Sequence, residues 1–345
     1  MSRDRNDYRC LAVLVCGVAL GCQFKIEPDE SNDQLGDTLR VLAIRSEPAD
    51  VAPTETAEFE ALVYAPQGCS VDDAAEYSWS WCPLRDPSDL SCAIAEDDAR
   101  EAWEAQQLDA PFPSYALGAA EIGAFTHALP AESATLLCAL PKGPGRDTSD
   151  AAFDACLAEI GLSVRVSVTR CGQTAVAVKR VPLVAEDAEY RNTNPNPAGP
   201  LTFRTADADT PLDAGAALTA GINYIGRAEY EVPVECPTDD PAAPCQSELF
   251  VDEDKSEGGE PTTRSEELRA SWYLTKGRAT LEEVTQSLGG FGETINGFGL
   301  PDPAESYVVL ENESEPGDER LFILLFDERG GVGWAEHAFR VEPTE

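Results

Sequence analysis

The chain has 345 residues, 43% of them hydrophobic, which is enough for two ordinary domains with cores of their own. Its 63 acidic residues outnumber 25 basic ones, and the formal net charge is −38. Such a surface repels phosphate backbones and anionic headgroups, so the composition excludes nucleic acid as a partner. A solubilising surface explains the charge most simply; a cationic partner, bound Ca²⁺ and a high-salt habitat remain open.

The amino terminus has the features of an export signal. Three arginines lie within the first nine residues, and the apolar run CLAVLVCGVALG follows at residues 10–21. A membrane-spanning helix needs about 20 apolar residues, so this run is too short to span and fits a signal peptide over residues 1–21.

The apolar run ends in ALGC, with Cys22 as its last residue. This ending resembles the bacterial lipobox, in which small residues precede a cysteine that becomes lipidated and amino-terminal. An ordinary signal peptide with an incidental cysteine is the alternative. Gln23 stands where inner-membrane lipoproteins carry Asp, so the resemblance implies a lipid anchor in the outer membrane, facing the periplasm or the cell surface. Residues 22–38, polar and acidic, are predicted to be a flexible tether.

Residues 39–185 are predicted to form a first β-rich domain. Strands are expected at 39–47, 57–64, 77–81 and 133–140, and helices at 95–108 and 150–160. The clearest pair is a hairpin of residues 162–169 and 174–184, with RCGQ as its turn. In the strand YSWSW, the aromatic residues Tyr77, Trp79 and Trp81 alternate with serine. Core packing is the favoured explanation of these rings, and an exposed sugar-binding platform is the alternative.

Residues 186–200, rich in Asn and Pro, are predicted to be a linker, and residues 201–345 a second β-rich domain. Strands are expected at 226–233, 246–251, 266–275 and 305–311, followed by a closing hairpin of 321–326 and 332–341. In each half a Trp-bearing strand precedes a hairpin with a Gly turn. This order predicts two immunoglobulin-like β-sandwiches in tandem.

Eleven cysteines minus Cys10, Cys16 and Cys22 leave eight, the even number that a disulfide framework in an exported protein requires. Cys236 and Cys245 bracket one short loop and Cys82 and Cys92 another, so these are predicted pairs. Cys138 with Cys156, and Cys69 with Cys171, are proposed for the rest. The absence of C-x-x-C and the presence of only two histidines argue against zinc.

The segments VLAIRSEPADVAPTETAEFEALVYAP, YSWSWCP, RVSVTRCGQTAVAVKRVPL and FDERGGVGW resemble parts of predicted lipoproteins of myxobacteria and their relatives that carry immunoglobulin-like domains. The resemblance covers about half of the chain, in patches. It implies a mainly β fold with two immunoglobulin-like domains, the first with short helical insertions, and an envelope location. It implies no activity.

The sequence contains no G-x-S-x-G elbow, no H-E-x-x-H and no Gly-rich phosphate loop, so no enzyme and no cofactor is predicted. His127 has no recognisable partner, and His337 is expected to be a half-buried sheet residue. Acidic loops make Ca²⁺ a weaker hypothesis, with Asp252, Asp254 and Glu257 as candidate ligands and a second cluster at Asp207, Asp209 and Asp213.

The favoured function is a non-enzymatic binding or structural module of the bacterial envelope. Its partner would be a protein or glycan, and its only membrane contact the lipid anchor. An exported hydrolase that uses two carboxylates and a calcium-dependent surface adhesin are the alternatives.

Overall fold

The computed structural model of the protein is mainly β, with several sheets. Segments in which apolar residues alternate mostly form β-strands. The structure describes residues 35–52, 55–66, 68–70, 73–82, 91–92, 94–105, 112–126, 162–182, 184, 191–197, 201–205, 211–213, 215–228, 230–231, 234–235, 246–247, 249–252, 262–265, 268–275, 278–280, 304–309, 316–327 and 329–343. The first half refers below to described residues up to 184, and the second half to those from 201 onward.

The first half contains seven described strands and one described helix. They are β1 (Arg40–Glu47), β2 (Thr56–Tyr64), β3 (Glu76–Cys82), α1 (Glu96–Ala105), β4 (Ala116–Gly118), β5 (Gly123–Thr126), β6 (Leu162–Arg170) and β7 (Gln173–Val181). The predicted hairpin of β6 and β7 is confirmed, with Cys171 and Gly172 in its turn. The short strands β4 and β5 were not expected, because three or four residues are too few to show a period.

Two sheets enclose the core of the first half, in the orders β1-β2-β5 and β4-β3-β6-β7. The alternation on β6 places its apolar residues in this core, where they meet Phe59, Trp79 and Trp81. Gly123 allows β5 to lie against Trp79, since a Cβ there would come within 2.7 Å of Trp79 Cδ2.

The chain that follows β7 is hydrogen-bonded to the chain that follows β1. Val51 N donates to Pro182 O at 3.0 Å, and Val184 N donates to Val51 O at 3.1 Å. These bonds join the residues just beyond the end of β7 to the loop that follows β1.

The second half, together with the segment before it, contains fourteen described strands. They are β8 (Asn196–Pro197), β9 (Thr202–Thr205), β10 (Leu218–Thr219), β11 (Asn223–Ala228), β12 (Tyr230–Glu231), β13 (Val234–Glu235), β14 (Gln246–Ser247), β15 (Leu249–Asp252), β16 (Thr262–Ser265), β17 (Leu268–Leu274), β18 (Arg278–Thr280), β19 (Ala304–Val309), β20 (Gly317–Asp327) and β21 (Val332–Glu342).

Two four-stranded sheets of the second half have the orders β10-β21-β20-β17 and β18-β19-β11-β9. Phe203, Trp272, Leu321, Ile323 and Phe339 belong to the core cluster of this half. The predicted closing hairpin is confirmed as β20 and β21. Within the predicted strand 226–233, β11 ends at Ala228 and pairs with β19 and β9, and β12 at Tyr230–Glu231 pairs with β8, while residues 229, 232 and 233 lie outside the described residues.

Candidate functional site: the seam between the halves

A third core cluster draws its residues from both halves, and we call the whole contact region around it the seam. Its buried members are Leu35, Ala43, Leu62 and Tyr64 from the first half, and Phe322, Leu324 and Val332 from the second. Apolar burial of this kind is worth about 25 cal/mol per Å² removed from water, so the cluster favours a fixed contact between the halves.

Two strands supply this cluster because each buries residues on two faces. On β2, Ala57 and Phe59 enter the core of the first half, whereas Leu62 and Tyr64 point into the seam. On β20, Leu321, Ile323 and Leu325 enter the core of the second half, and Phe322 and Leu324 enter the seam. The apolar run LFILLF reflects that double burial, since a strand covered on both faces has no polar side to alternate with.

Aromatic contacts cross the seam at two points. The rings of Tyr64 and Phe322 meet edge to face, with centroids 6.2 Å apart and planes at 80°. Arg45 of β1 places its guanidinium 4.7 Å from the centroid of the Trp334 ring on β21. Each geometry is favourable by about 0.5–1.5 kcal/mol beyond area burial.

The segment before β1 also belongs to the seam. Leu35 is fully buried, and its N–H donates to Leu274 O at the end of β17, at 3.0 Å. Tyr64 OH donates to Gly36 O at 2.8 Å, and Gln173 donates to Asp37 O at 3.1 Å. Residues 35–37, which were assigned to the tether, therefore contact both halves, and residues 22–34 lie outside the described residues.

Asn194, within the predicted linker, joins the end of β1 to the start of β21. Its Nδ2 donates to Ser46 O at 2.7 Å and to Glu47 Oε2 at 3.0 Å, and its Oδ1 accepts from Val332 N at 2.9 Å. The side chain is buried, so it satisfies polar groups that water does not reach.

Arg191 and Asn192 bind the loop after β1 in a second set of contacts. Arg191 Nε donates to Asp50 Oδ1 at 2.6 Å, and Arg191 Nη2 donates to Glu55 Oε2 at 2.8 Å. Asn192 N donates to Asp50 Oδ2 at 2.6 Å. The hydrogen bond from Arg191 lowers the pKa of Glu55, and the two carboxylates raise the pKa of Arg191 above its ordinary value.

Lys179 and Asp327 place opposite charges inside the seam. Lys179 of β7 is buried and its Nζ donates to Gly330 O, while Asp327 Oδ1 accepts from Gly331 N at 2.6 Å and from Asn192 Nδ2 at 3.4 Å. Burial lowers the pKa of Lys179 to about 8, and the nearby Asp327 acts in the opposite direction. Burial raises the pKa of Asp327, although the Gly331 N–H and Lys179 oppose this shift.

Two glycines let the backbone of the linker approach β21. A Cβ on Gly333 would lie 1.7 Å from Pro195 O, and one on Gly331 would lie 1.9 Å from Asp327 Oδ2 and 3.3 Å from Thr193 O. The GGVG sequence before Trp334 therefore makes room for the segment 191–195, which any side chain at Gly333 would push away.

The seam holds surfaces together rather than presenting a cleft. Its titratable pair is enclosed by backbone and asparagine side chains, and a reacting group must reach its substrate within hydrogen-bond distance. Two depressions in the described part of the chain lie elsewhere, around Cys69 and Cys171 and around Tyr77 and Glu121. What this arrangement of groups can do is fix one half relative to the other.

The aromatic row of β3 is part of the core. Trp79 and Trp81 are each 1% exposed, and their Nε1 atoms donate to Ala120 O at 3.0 Å and Ser114 O at 2.7 Å. Tyr77 is partly buried against the same core. The alternative of an exposed sugar-binding platform is therefore wrong, because the two rings with the largest faces have no surface to offer a sugar.

Two of the four proposed cysteine pairs are joined in the structure. Disulfides link Cys69 to Cys171 and Cys82 to Cys92, each with Cα atoms 5.8 Å apart. The other four candidates, Cys138, Cys156, Cys236 and Cys245, and the lipidation candidate Cys22 lie outside the described residues.

Of the remaining candidates, the structure describes His337, Asp252 and Asp213. His337 is half-buried on β21, with its ring 5.6 Å from that of Phe203, and burial lowers its pKa. Asp252 ends β15 and Asp213 precedes β10, whereas His127, Asp207, Asp209, Asp254 and Glu257 lie outside the described residues. Among the described residues, no helix is long and apolar enough to cross a bilayer.

Comparisons with known proteins give only distant likenesses. No protein-family model and no curated protein matches the chain. Fibronectin(III)-like modules of CbhA from Clostridium thermocellum share 5% identity at a TM-score of 0.19, over 88% of this chain and 94% of theirs. Latent PorU from Porphyromonas gingivalis shares 10% at 0.19, over 90% of this chain and 24% of its own. Activated alpha-2-macroglobulin of Escherichia coli shares 8% at 0.22, over 89% and 22%. The chain thus spans less than a quarter of the last two proteins, and likenesses at these TM-scores carry no functional inference.

Proposed function

We propose that the chain is an exported, lipid-anchored protein of the bacterial outer membrane that acts as a non-enzymatic binding or structural module. In this proposal Cys22 carries the lipid, and residues from Gln23 to the start of the packed segment form the tether. Two immunoglobulin-like sandwiches in tandem present the binding surface. The partner is an envelope protein or glycan.

The observation that carries this proposal is the seam. Its apolar cluster and its buried hydrogen bonds come from β1, β2, β7, β20, β21 and the segment between the halves. A module that transmits force or presents a surface benefits from a fixed angle between its parts, because binding then costs less ordering entropy. The segment at Leu35 ties the end of the tether to the same region, so a lipid anchor would act on both halves together.

Anchoring is tested by feeding cells an alkyne-labelled fatty acid and fractionating their membranes. We expect label in the full-length protein and co-sedimentation with the outer membrane. Cys22→Ser should lose both. Label that persists in Cys22→Ser would contradict lipidation at this position, because Cys22 is the proposed site of the thioether.

Binding is tested by crosslinking the tagged, lipidated protein in intact cells and identifying what is recovered with it. We expect one dominant envelope component, and we expect its recovery to fall when the seam is opened by Asn194→Ala but not by Asn196→Ala, which changes an exposed asparagine two residues away. If no envelope component were recovered with the wild type or with Asn196→Ala, the proposal of a binding module would be contradicted.

A further inference from the structure

One disulfide of the first half, which is partly exposed, lies beside a carboxylate. It joins the loop after β2, through Cys69, to the turn between β6 and β7, through Cys171. Asp73 Oδ2 lies 3.5 Å from Cys171 Sγ, and the two sulfurs and the carboxylate oxygen all lie within 4.8 Å of one another. Asp73 is exposed and Cys171 is partly exposed at a depression of about 500 Å³ that Asp37 and Gln173 also line.

We propose that Cys69, Cys171 and Asp73 form a redox-gated metal site, a disulfide when oxidised and a site for one thiophilic divalent cation such as Zn²⁺ when reduced. The sequence argued against zinc because no C-x-x-C motif is present. The three donors come instead from positions far apart in the chain, which only the fold brings together.

The spacing of the donors fits a tetrahedral ion. Zn–S bonds of about 2.3 Å and Zn–O bonds of about 2.0–2.2 Å place a sulfur and an oxygen ligand about 3.6 Å apart, and two sulfurs about 3.8 Å apart. The sulfur of Cys171 and the carboxylate of Asp73 already stand at 3.5 Å. Once the disulfide is broken, the two sulfurs need to separate by only about 2 Å, and the open depression leaves room for a fourth ligand from solvent.

Opening the site requires a reductant of the dithiol class. Its thiolate attacks one sulfur of the pair, two electrons pass to the Cys69–Cys171 bond, and the dithiol leaves as a disulfide. Cys171 is partly exposed, so the reductant can reach its sulfur. Each freed thiol then gives its proton to solvent as its sulfur binds the ion, so one bound cation releases two protons.

The surroundings favour a soft cation over other ligands. The Asp73 carboxylate disfavours free thiolates next to it, and it attracts a divalent ion that neutralises both sulfurs. The net charge of −38 raises the local concentration of cations. Ca²⁺ is a poor occupant, because it takes six to eight oxygen ligands whereas this cluster offers two sulfurs and a carboxylate.

A metal ion bound here would replace the disulfide as the crosslink between Cys69 and Cys171. Gln173, two residues after Cys171, accepts from Leu39 N at 2.7 Å and donates to Asp37 O at 3.1 Å, next to the packed segment at Leu35. The disulfide or the metal ion would fix the turn between β6 and β7. The contact of this turn with the packed segment would therefore survive in a reducing environment that contains the cation.

The test is a Co²⁺ titration of the reduced, full-length protein, with thiolate-to-cobalt absorbance as the readout. The chain has other cysteines, so the comparison is with Cys69→Ser/Cys171→Ser, which keeps all the rest. We expect the wild type to bind one more Co²⁺ than this variant. Zn²⁺ should displace the additional ion and raise the melting temperature of the reduced wild type alone.

Asp73→Asn keeps both cysteines and the disulfide, so it tests the site even if the double variant folds poorly. It should weaken binding of the additional Co²⁺ by at least about tenfold, the lower end of losses seen for residues that merely support a ligand. Glu76→Gln, which removes an exposed carboxylate three residues away, should not. Equal Co²⁺ stoichiometry in wild type and double variant, or unchanged affinity in Asp73→Asn, would overturn the proposal.

Discussion

The apolar part of the seam, around Tyr64 and Phe322, and its polar part, around Asn194 and Asp327, join the same two halves by different physical means. In the apolar part, rings and aliphatic chains from β2 and β20 are removed from water, and the gain depends on area. In the polar part, buried donors and acceptors meet one another at 2.6–3.4 Å, and the gain depends on direction.

This difference suggests that the apolar and polar parts of the seam have separate roles. Apolar contacts tolerate small shifts, so they hold the halves together without fixing their relative position. A buried polar network contributes little net free energy when complete, but a displaced network leaves groups without partners, and each costs about 1–3 kcal/mol. The polar part should therefore select one alignment of the halves, and the two parts should respond differently to substitution.

The largest effect is expected from Phe322→Ala. Removing a buried phenylalanine costs about 3–5 kcal/mol of unfolding free energy, as a transfer loss and a cavity. Because Phe322 packs against Tyr64 of the other half, we also expect the one denaturation transition predicted for the wild type to separate into two.

Ile323→Ala is the matched comparison: it faces the core of the second half and should lower the stability of that half alone. Chemical denaturation followed by tryptophan fluorescence measures both; a Phe322→Ala curve that stays single would argue against separable halves.

Asn194→Ala should have the next largest effect, about 2–4 kcal/mol. It leaves Ser46 O and Val332 N buried without the bonds that Asn194 now supplies. Asn196→Ala, at an exposed position of the same segment, should change stability by less than about 0.5 kcal/mol. Hydrogen exchange at the Val332 amide is the specific readout, and protection there that survives Asn194→Ala would contradict the assigned bond.

Gly333→Ala should cost about 1–3 kcal/mol by overpacking. Its Cβ would meet Pro195 O at 1.7 Å, so either the linker segment or β21 has to move. Gly317→Ala is the control on the same sheet, since a Cβ there meets nothing within 4 Å. Thermal melts of the two variants should differ, and equal melting temperatures would mean that the linker does not press on β21 in solution.

The strands could be predicted from the sequence better than the seam could. The alternation of β6 and the Gly turn of its hairpin are local signals. On β2, the sequence predicted a strand but not that Leu62 and Tyr64 are buried on the face opposite Phe59, because their partners Phe322 and Leu324 are far along the chain. The unbroken run LFILLF was the one local sign of a strand covered on both faces.

The polar residues of the seam carried no such sign. Asn192 and Asn194 have the composition of a linker, and their burial depends on Asp327 and Val332, 135 and 138 residues away. Lys179 lies in a regular strand pattern, and its side chain would ordinarily face water. What hides it is the backbone at Gly330, and a pattern of period two contains no information about a surface that arrives from another part of the chain.

The smallest expected effect concerns the charged pair, Lys179 and Asp327. The pH dependence of the unfolding free energy distinguishes its contribution from that of the rest of the polar part. The folded-state pKa of Lys179 is about 8 against an ordinary 10.5, so between these values the unfolded chain binds more protons than the folded one. Stability contributed by this group therefore rises with pH across that window and is lowest below pH 8. Other groups titrate there too, so the quantity to measure is the wild-type unfolding free energy minus that of Lys179→Met. This difference should grow from pH 8 to 10.5.

Arg180→Met, the same loss of a cation at the exposed neighbouring position, should reproduce the wild-type slope. A Lys179→Met profile parallel to wild type would mean that Lys179 reaches solvent and that the charged pair does not lie inside a closed seam.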